Sequence, residues 1–484
     1  MHHLDLEFDP GCCFFNNQWI PSSAAQHLEL LNPSDGSTLC EIARGDQEDV
    51  ERAVHSAQAA IEGEWGNSTA LERSRVLYRM SQIVLENVDK LARLEALDVG
   101  KPLAQAKADA IALARYLEFY AGACDKIHGS TIPYLDGYTV YTLRESHGVT
   151  AHIIPWNYPM QIIGRSVGAA LAMGNAAVLK PAEEACLTAL AFADIARKAQ
   201  LPEGALSVVP GLGSEAGAAL SSHPEIQHIS FTGSVAVGKL IQSAAAEHVV
   251  PVTLELGGKS PQIVFDDANI DSALPFLVNA GIQNAGQTCS ASSRILVQRS
   301  RYDEVVEKMA ARYRKLKVGA ALSDLDVGPL ISRRQQELVT GFIEKGSNLT
   351  VAAVGEISTQ ADPSGNYVSP TLYCDVDPDH CLAQEEIFGP VQVVIPFDNE
   401  AHAIDIANGT PFGLVAAVWT TDGSRQMRLA KKLKSGQVFI NNYGAGGGVE
   451  LPFGGNGLSG HGREKGFEAL YGFSSLKTVA AKHD

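Results

Sequence analysis

Apolar residues recur at helical spacing through most of the first 120 residues. In DVERAVHSAQAAIEG, Val50, Val54, Ala57 and Ile61 fall on one helical face. ARLEALDVGKPLAQAKADAIALARYLEFYAGA keeps the same period and predicts helix on both sides of a break at Gly100 and Pro102. The period then shortens. TIPYLDGYTVYTL sets Asp136 and Gly137 between two β-rich runs, a strong hairpin signal. After it, strand-like runs (GVTAHII, NAAVLK, ALSVVPG, HISFTG, VTLELGG) alternate with helical ones (EEACLTALAFADIARKAQ, VAVGKLIQSAAAE). Such alternation predicts right-handed βαβ units and a mostly parallel sheet. A second alternating series opens at Pro261 with PQIVFDD, IDSALPFLVNAGIQNAG, SRILVQ and YDEVVEKMAARYRKLK, so a second α/β domain is expected from near residue 257. The tail SSLKTVAAKH is β-prone with nothing beside it to pair with. It is expected to join the hairpin, in its own chain or in another subunit.

Composition narrows the function classes. The 484 residues carry a formal net charge of −17, which disfavours nucleic acid and anionic membranes as partners. The eight cysteines show no CxxC spacing, so neither a disulfide framework nor a metal site is expected. The amino terminus shows no basic-then-apolar leader, and no apolar run reaches the ~18 residues of a membrane span. These features point to a reducing, cytoplasmic setting.

Several short stretches carry candidate chemistry. In NAGQTCSASS, Cys289 sits among small and hydroxyl residues after an apolar helix, open to an approaching substrate; a lone cysteine is otherwise an inert small core residue. VTLELGGKSP places Glu255 inside an apolar strand, where burial raises a carboxyl toward neutrality and suits a general base; pairing with Lys259 is the alternative. IPWNYP brackets Asn157 with prolines, a way to fix an amide donor for an oxyanion, or simply a turn. VVPGLGSEAG, with Gly211, Gly213 and Gly217, departs from the GxGxxG spacing, so it is either a phosphate loop or a plain glycine turn. FTGSVAVG is a better phosphate site, with Ser234 opening a helix that it also suits as a cap. In LKPAEEA, Glu183 lies three residues after Lys180, placed to take two ribose hydroxyls or to serve as a first-turn helix charge.

Taken together, PWNYP, LKPAE, FTGS, LELGGKSP, GQTCSA, EEIFGPV and PFGG…SGHGREKG resemble, in order, the NAD(P)-dependent aldehyde dehydrogenase superfamily of the non-acylating kind. The resemblance implies a Rossmann-like nucleotide domain (1–122 and 146–256), a second α/β catalytic domain (257–458) and a small oligomerisation arm (123–145 and 459–484). It implies oxidation of an aldehyde to its acid, with Cys289 as nucleophile, Asn157 and the Cys289 N–H holding the oxyanion, and Glu255 activating the deacylating water. It places NAD on Ile153, Trp156, Lys180, Glu183, Gly213, Phe231, Ser234, Glu386 and Phe388, with Glu183 favouring NAD over NADP. Tyr158, Ile162, Arg165 and Phe453 would line the aldehyde tunnel, and a homodimer or homotetramer is implied.

The departures bear on substrate. Arg165 stands where many relatives have an aromatic residue, as in the succinic semialdehyde branch, where it binds a carboxylate. That branch's second arginine is Gln283 here, and its serine is replaced near Gly447. A lysine common beside it is Ser166. Arg165 thus either reads an acid- or carbonyl-bearing aldehyde or pairs with an acidic neighbour, and the apolar tunnel suits alkyl or aryl aldehydes. Two other functions compete: CoA-acylating oxidation, which a hydrolytic Glu255 disfavours, and a non-catalytic binding or structural protein on the same fold.

Overall fold

The computed structural model describes residues 4, 6–444 and 448–483. Its first sheet has eight strands, in the order Gln18–Pro21, Cys12–Phe15, Leu206–Val208, Ala176–Lys180, Val149–Ile153, His228–Thr232, Val252–Glu255 and Gly460–His461. The strands from Leu206–Val208 to Val252–Glu255 run parallel. Their order reverses between Val149–Ile153 and His228–Thr232, which opens a crevice at the carboxyl edge of the sheet. Ala176–Lys180 is buried at every position, as a strand covered on both faces must be, and this explains its unbroken apolar run.

The second sheet is ordered Thr350–Val354, Thr371–Cys374, Val391–Phe397, Arg294–Gln298, Pro261–Val264, Val415–Trp419 and Gln437–Ile440. It is parallel apart from the antiparallel edge strand Thr350–Val354. Each sheet has its own apolar core. The α/β class and the two alternating series expected from the sequence are both present.

The tail strand Ser474–Lys482 pairs antiparallel with Tyr138–Ser146, from Ser474 opposite Ser146 to Lys482 opposite Tyr138. It therefore joins the hairpin of its own chain. Residues 459–484 do not all lie in this small sheet. Gly460–His461 extends the first sheet beside Val252–Glu255, and helix Gly466–Gly472 buries Ala469 and Leu470 in the first core. The amino-terminal region also differs from expectation. Four strands precede the first helix, Gln47–Glu62. Asn16 and Asn17 both take positive φ (51° and 56°), making the tight turn between Cys12–Phe15 and Gln18–Pro21. Helix Pro159–Ala172 begins directly after PWNY, with Pro159 in its first turn, where the missing N–H costs no hydrogen bond.

Among the described residues, no helix is long and apolar enough to cross a membrane, and no cluster of three or more His, Cys, Asp or Glu could hold a metal.

Candidate active site

Strand register brings the candidate residues to one edge. Ile153 lies opposite Lys180 on one side and Phe231 on the other, and Thr232 lies opposite Glu255. A cavity of about 450 Å³ opens there. Cys289, Glu255 and Asn157 all border it. So do Trp156, Ser234, Glu386 and Phe388, and so do Tyr158, Ile162, Arg165 and Phe453.

The remaining expected residues lie outside this cavity. Lys180, Glu183 and Gly213 form a neighbouring cluster: Lys180 Nζ is 3.0 Å from Glu183 Oε2, and the Gly213 N–H donates to Glu183 Oε1 at 3.5 Å. Ile153 and Phe231 are buried at their strand ends.

Cys289 is held by a locked loop. Helix Ile270–Ile282 ends, and Asn284 and Ala285 take positive φ (49° and 55°) before the chain reaches the cysteine. Asn284 Nδ2 donates to the Asn157 carbonyl and Asn157 Nδ2 to the Gln287 carbonyl, both at 3.0 Å. Gln287 closes the lock, donating to the Asn284 carbonyl at 3.0 Å and accepting from the Ile331 N–H at 2.9 Å. The LELGGKSP turn approaches from the other sheet: a Cβ on Gly258 would fall 2.5 Å from the Cys289 carbonyl oxygen. Cys40 and Cys381 are also half-buried, but only Cys289 borders the cavity. Burial pushes the Cys289 thiol up to about 12, opposed by Arg165.

Glu255 is 1% exposed, and neither carboxylate oxygen has a hydrogen-bond partner among the described residues. Burial first, then the charge of Glu464, raises its pKa well above the ordinary carboxyl range. The pairing with Lys259 considered for it does not form.

Arg165 is ion-paired through Nε to Glu464 Oε2, and its Nη2 donates to Thr232 Oγ1 at 3.1 Å. Ser230 Oγ donates to the other Glu464 oxygen at 2.7 Å. The guanidinium also lies 5.1 Å from the centre of the Phe453 ring. Of the two roles open to Arg165, pairing with an acidic neighbour is the one formed. Ser166 faces away from this chemistry, its hydroxyl 2.5 Å from His152 Nδ1. Gln283 borders the cavity, and Gly447 lies outside the described residues.

On the other side, Glu386 Oε1 accepts from the Gly258 N–H at 2.9 Å, and burial raises its pKa to about 7. The Phe388 and Trp156 rings meet edge-on, 5.3 Å apart. Ser234 Oγ accepts from the Val237 N–H at 3.3 Å, so it caps helix Val235–Glu247 while facing the cavity.

The aldehyde dehydrogenase family model matches residues 19–479. The chain belongs to that family. It is 40% identical to hydroxyisobutyraldehyde dehydrogenase of Mycolicibacterium austroafricanum, covering 97% of this chain and 93% of the relative. A crystal structure of a Burkholderia cenocepacia protein is 58% identical, with a TM-score of 0.97, covering 98% of this chain and all of that one (100%). The NAD+ complex of a Bacillus cereus aldehyde dehydrogenase is 40% identical, with a TM-score of 0.96 over 99% of this chain and 98% of that one. The sequence reading of an NAD-dependent aldehyde dehydrogenase agrees with this membership.

Single-residue reading passed over two groups of the dehydrogenase site, one on the cavity and one behind it. Lys465, 2% exposed, borders it within the REKG stretch; burial lowers its pKa to about 7, with Arg165 adding to the effect. Glu464 compensates Arg165. Both lie far along the chain from the cysteine, and only the family motif marked the stretch.

Proposed function

We propose that this dehydrogenase oxidises an uncharged alkyl or aryl aldehyde to its carboxylic acid, through covalent catalysis at Cys289. The observation that carries the reading is one cavity shared by a half-buried thiol and a buried carboxyl, Glu255, that has no hydrogen-bond partner among the described residues.

Such a carboxyl is a competent base near neutral pH. Glu255 takes the thiol proton, and Cys289 Sγ attacks the aldehyde carbon. The carbonyl π electrons move to oxygen, where the Asn157 amide and the Cys289 N–H stabilise them. Bound NAD would supply the acceptor for the hydride of this carbon. Glu255 passes the thiol proton to solvent and then deprotonates a water that attacks the resulting thioester; the C–S bond breaks to give the acid and the thiolate, which the proton on Glu255 returns to the thiol.

The cofactor reading is supported by Glu386 and Ser234 on the cavity and by the Lys180–Glu183 pair beside it. A carboxylate at Glu183 suits ribose hydroxyls and repels a 2′-phosphate. The apolar substrate class is supported by Tyr158, Ile162 and Phe453, and by the neutralisation of Arg165. A second reading, an acid- or carbonyl-bearing semialdehyde, is favoured by one observation: Arg165 borders the cavity. A cytoplasmic setting is supported by eight free cysteines. Self-association as a dimer or tetramer is supported by exposed Tyr134, Leu135 and Leu476 on the arm.

NADH formation with Cys289→Ser and with alkylated enzyme tests the reading. The expected loss of turnover is about 10³-fold or more. Unchanged turnover after Cys289 is alkylated would sink covalent catalysis. Strict dependence on CoA would favour the acylating reaction instead.

A further inference from the structure

The helix break at Gly100 and Pro102 has so far had no role. The two helices it separates are Val88–Val99 and Leu103–Ala121, and Gly100 closes the first with φ of +87°. A Cβ there would lie 2.9 Å from Pro329 Cγ and 3.0 Å from Pro33 Cβ, so the turn needs glycine. The turn sends Lys101 inward, where it is 1% exposed.

Its ammonium is held by two carboxylates from the flanking helices. Nζ is 2.6 Å from Glu95 Oε1 and contacts Asp109 Oδ2. The same Nζ lies 4.0 Å from the centre of the Tyr158 ring. Asp109 also accepts, through Oδ1, a hydrogen bond from Gln161 Nε2 at 2.5 Å. Tyr158 and Gln161 both border the catalytic cavity, and Tyr158 follows Asn157 directly. One helical turn further on, Gln105 Oε1 accepts from the Asn284 N–H at 2.9 Å, in the loop that carries the cysteine.

A buried ion cluster need not stabilise a fold, since desolvation offsets the attraction. Here the cluster faces two side chains of the tunnel wall. Burial raises Glu95, while its carboxylate partners raise Lys101 against its own burial, so the lysine stays charged. A desolvated ammonium on an aromatic face is at the strong end of cation–π contacts.

We infer that Lys101 is a positioning residue of the aldehyde tunnel, fixing the Tyr158 ring by its ammonium and the Gln161 amide through Asp109. The inference rests on the proposed chemistry at Cys289. It assigns the ion cluster to substrate fit, and predicts that its loss is felt in aldehyde binding before NAD binding.

The test is a double-mutant cycle of Lys101→Arg and Tyr158→Leu, read as KM and kcat for a medium-chain alkanal and as KM for NAD. Rates are taken per titrated Cys289 thiol, so misfolded protein is not counted. Lys101→Arg alone should raise the aldehyde KM about three- to tenfold with the NAD KM unchanged. In the Tyr158→Leu background the same change should cost less than about twofold, because the ring is gone and only the weaker route through Asp109 to Gln161 remains. Asp109→Asn, which keeps the side-chain shape, gives a second route should Lys101→Arg fold poorly, with the same KM pattern expected. Independent, multiplying effects of Lys101 and Tyr158, or a loss of stability with both KM values unchanged, would overturn the inference. Wild-type enzyme inert toward every aldehyde would instead strike the proposed function.

Discussion

The two sides of the cavity handle buried charge in opposite ways. On the aldehyde side, charged groups are answered from within the protein: Arg165 by Glu464, Glu464 by Ser230, and Lys101 by Glu95 and Asp109. Between that wall and the cofactor side stands Glu255, whose carboxylate oxygens have no hydrogen-bond partner among the described residues. On the cofactor side, Glu386 accepts from one backbone N–H and Ser234 caps one backbone N–H among the described residues. A satisfied group shapes a wall. An unsatisfied buried one costs stability and is retained where a ligand or a proton completes it.

The contrast breaks most visibly at Glu255. Glu255→Gln keeps the shape and removes the base. Steady-state kcat should fall by about 10²- to 10⁴-fold, while a pre-steady-state burst of NADH remains as thioester accumulates. The wild-type rate should also fall on the acid side. The base works only when deprotonated, so activity is present above its pKa and lost below it. Because that pKa is raised, the loss should begin above the ordinary carboxyl range. A Glu255→Gln enzyme with wild-type kcat would remove Glu255 from the chemistry.

The satisfied wall is tested at Arg165. Arg165→Ala leaves Glu464 buried without its cation, which should cost about 3–5 kcal/mol in a denaturation measurement. Selectivity should hardly move: the kcat/KM ratio of a medium-chain alkanal to succinic semialdehyde is expected to stay within about threefold. Should succinic semialdehyde lead in the wild type and lose that lead in Arg165→Ala, the wall is a carboxylate receptor and the semialdehyde reading is right.

Legibility followed the same division. The alternation of strand and helix and the Asp136–Gly137 hairpin could be read because local period and turn chemistry decide them, and the tail because a β-prone run with no neighbour needs the free edge of that hairpin. Cys289, Glu255 and Asn157 could be read because each sits in a short motif, and register then brings them to one edge. The amino-terminal strands were missed because Cys12–Phe15 is a short, wholly buried run without alternation, which periodicity cannot separate from helix. The pairing of Gly460–His461 with Val252–Glu255 could not be read because it spans some 200 residues, and the short run carries no signal for a partner that distant. The partner of Arg165 stayed open for the same reason, since Glu464 reaches it only through the folded sheet edge.

The smallest effect should appear on the cofactor side, at Glu386. Burial raises this carboxyl to about 7, opposed by the Gly258 N–H and by the charge of Lys259. A ribose hydroxyl donates best to a carboxylate, so the ionised form binds NAD and the protonated form does so poorly. The sign follows: affinity is full above about pH 7 and is lost as the pH falls through it. Between pH 8 and pH 6, KM for NAD should rise about tenfold, with the aldehyde held saturating. Glu386→Gln should raise KM at pH 8 and flatten the dependence, because no proton remains to be lost. The same slope in Glu386→Gln would assign the titration to another group on the cavity, and Lys465, lowered to about 7, is then the one to replace next.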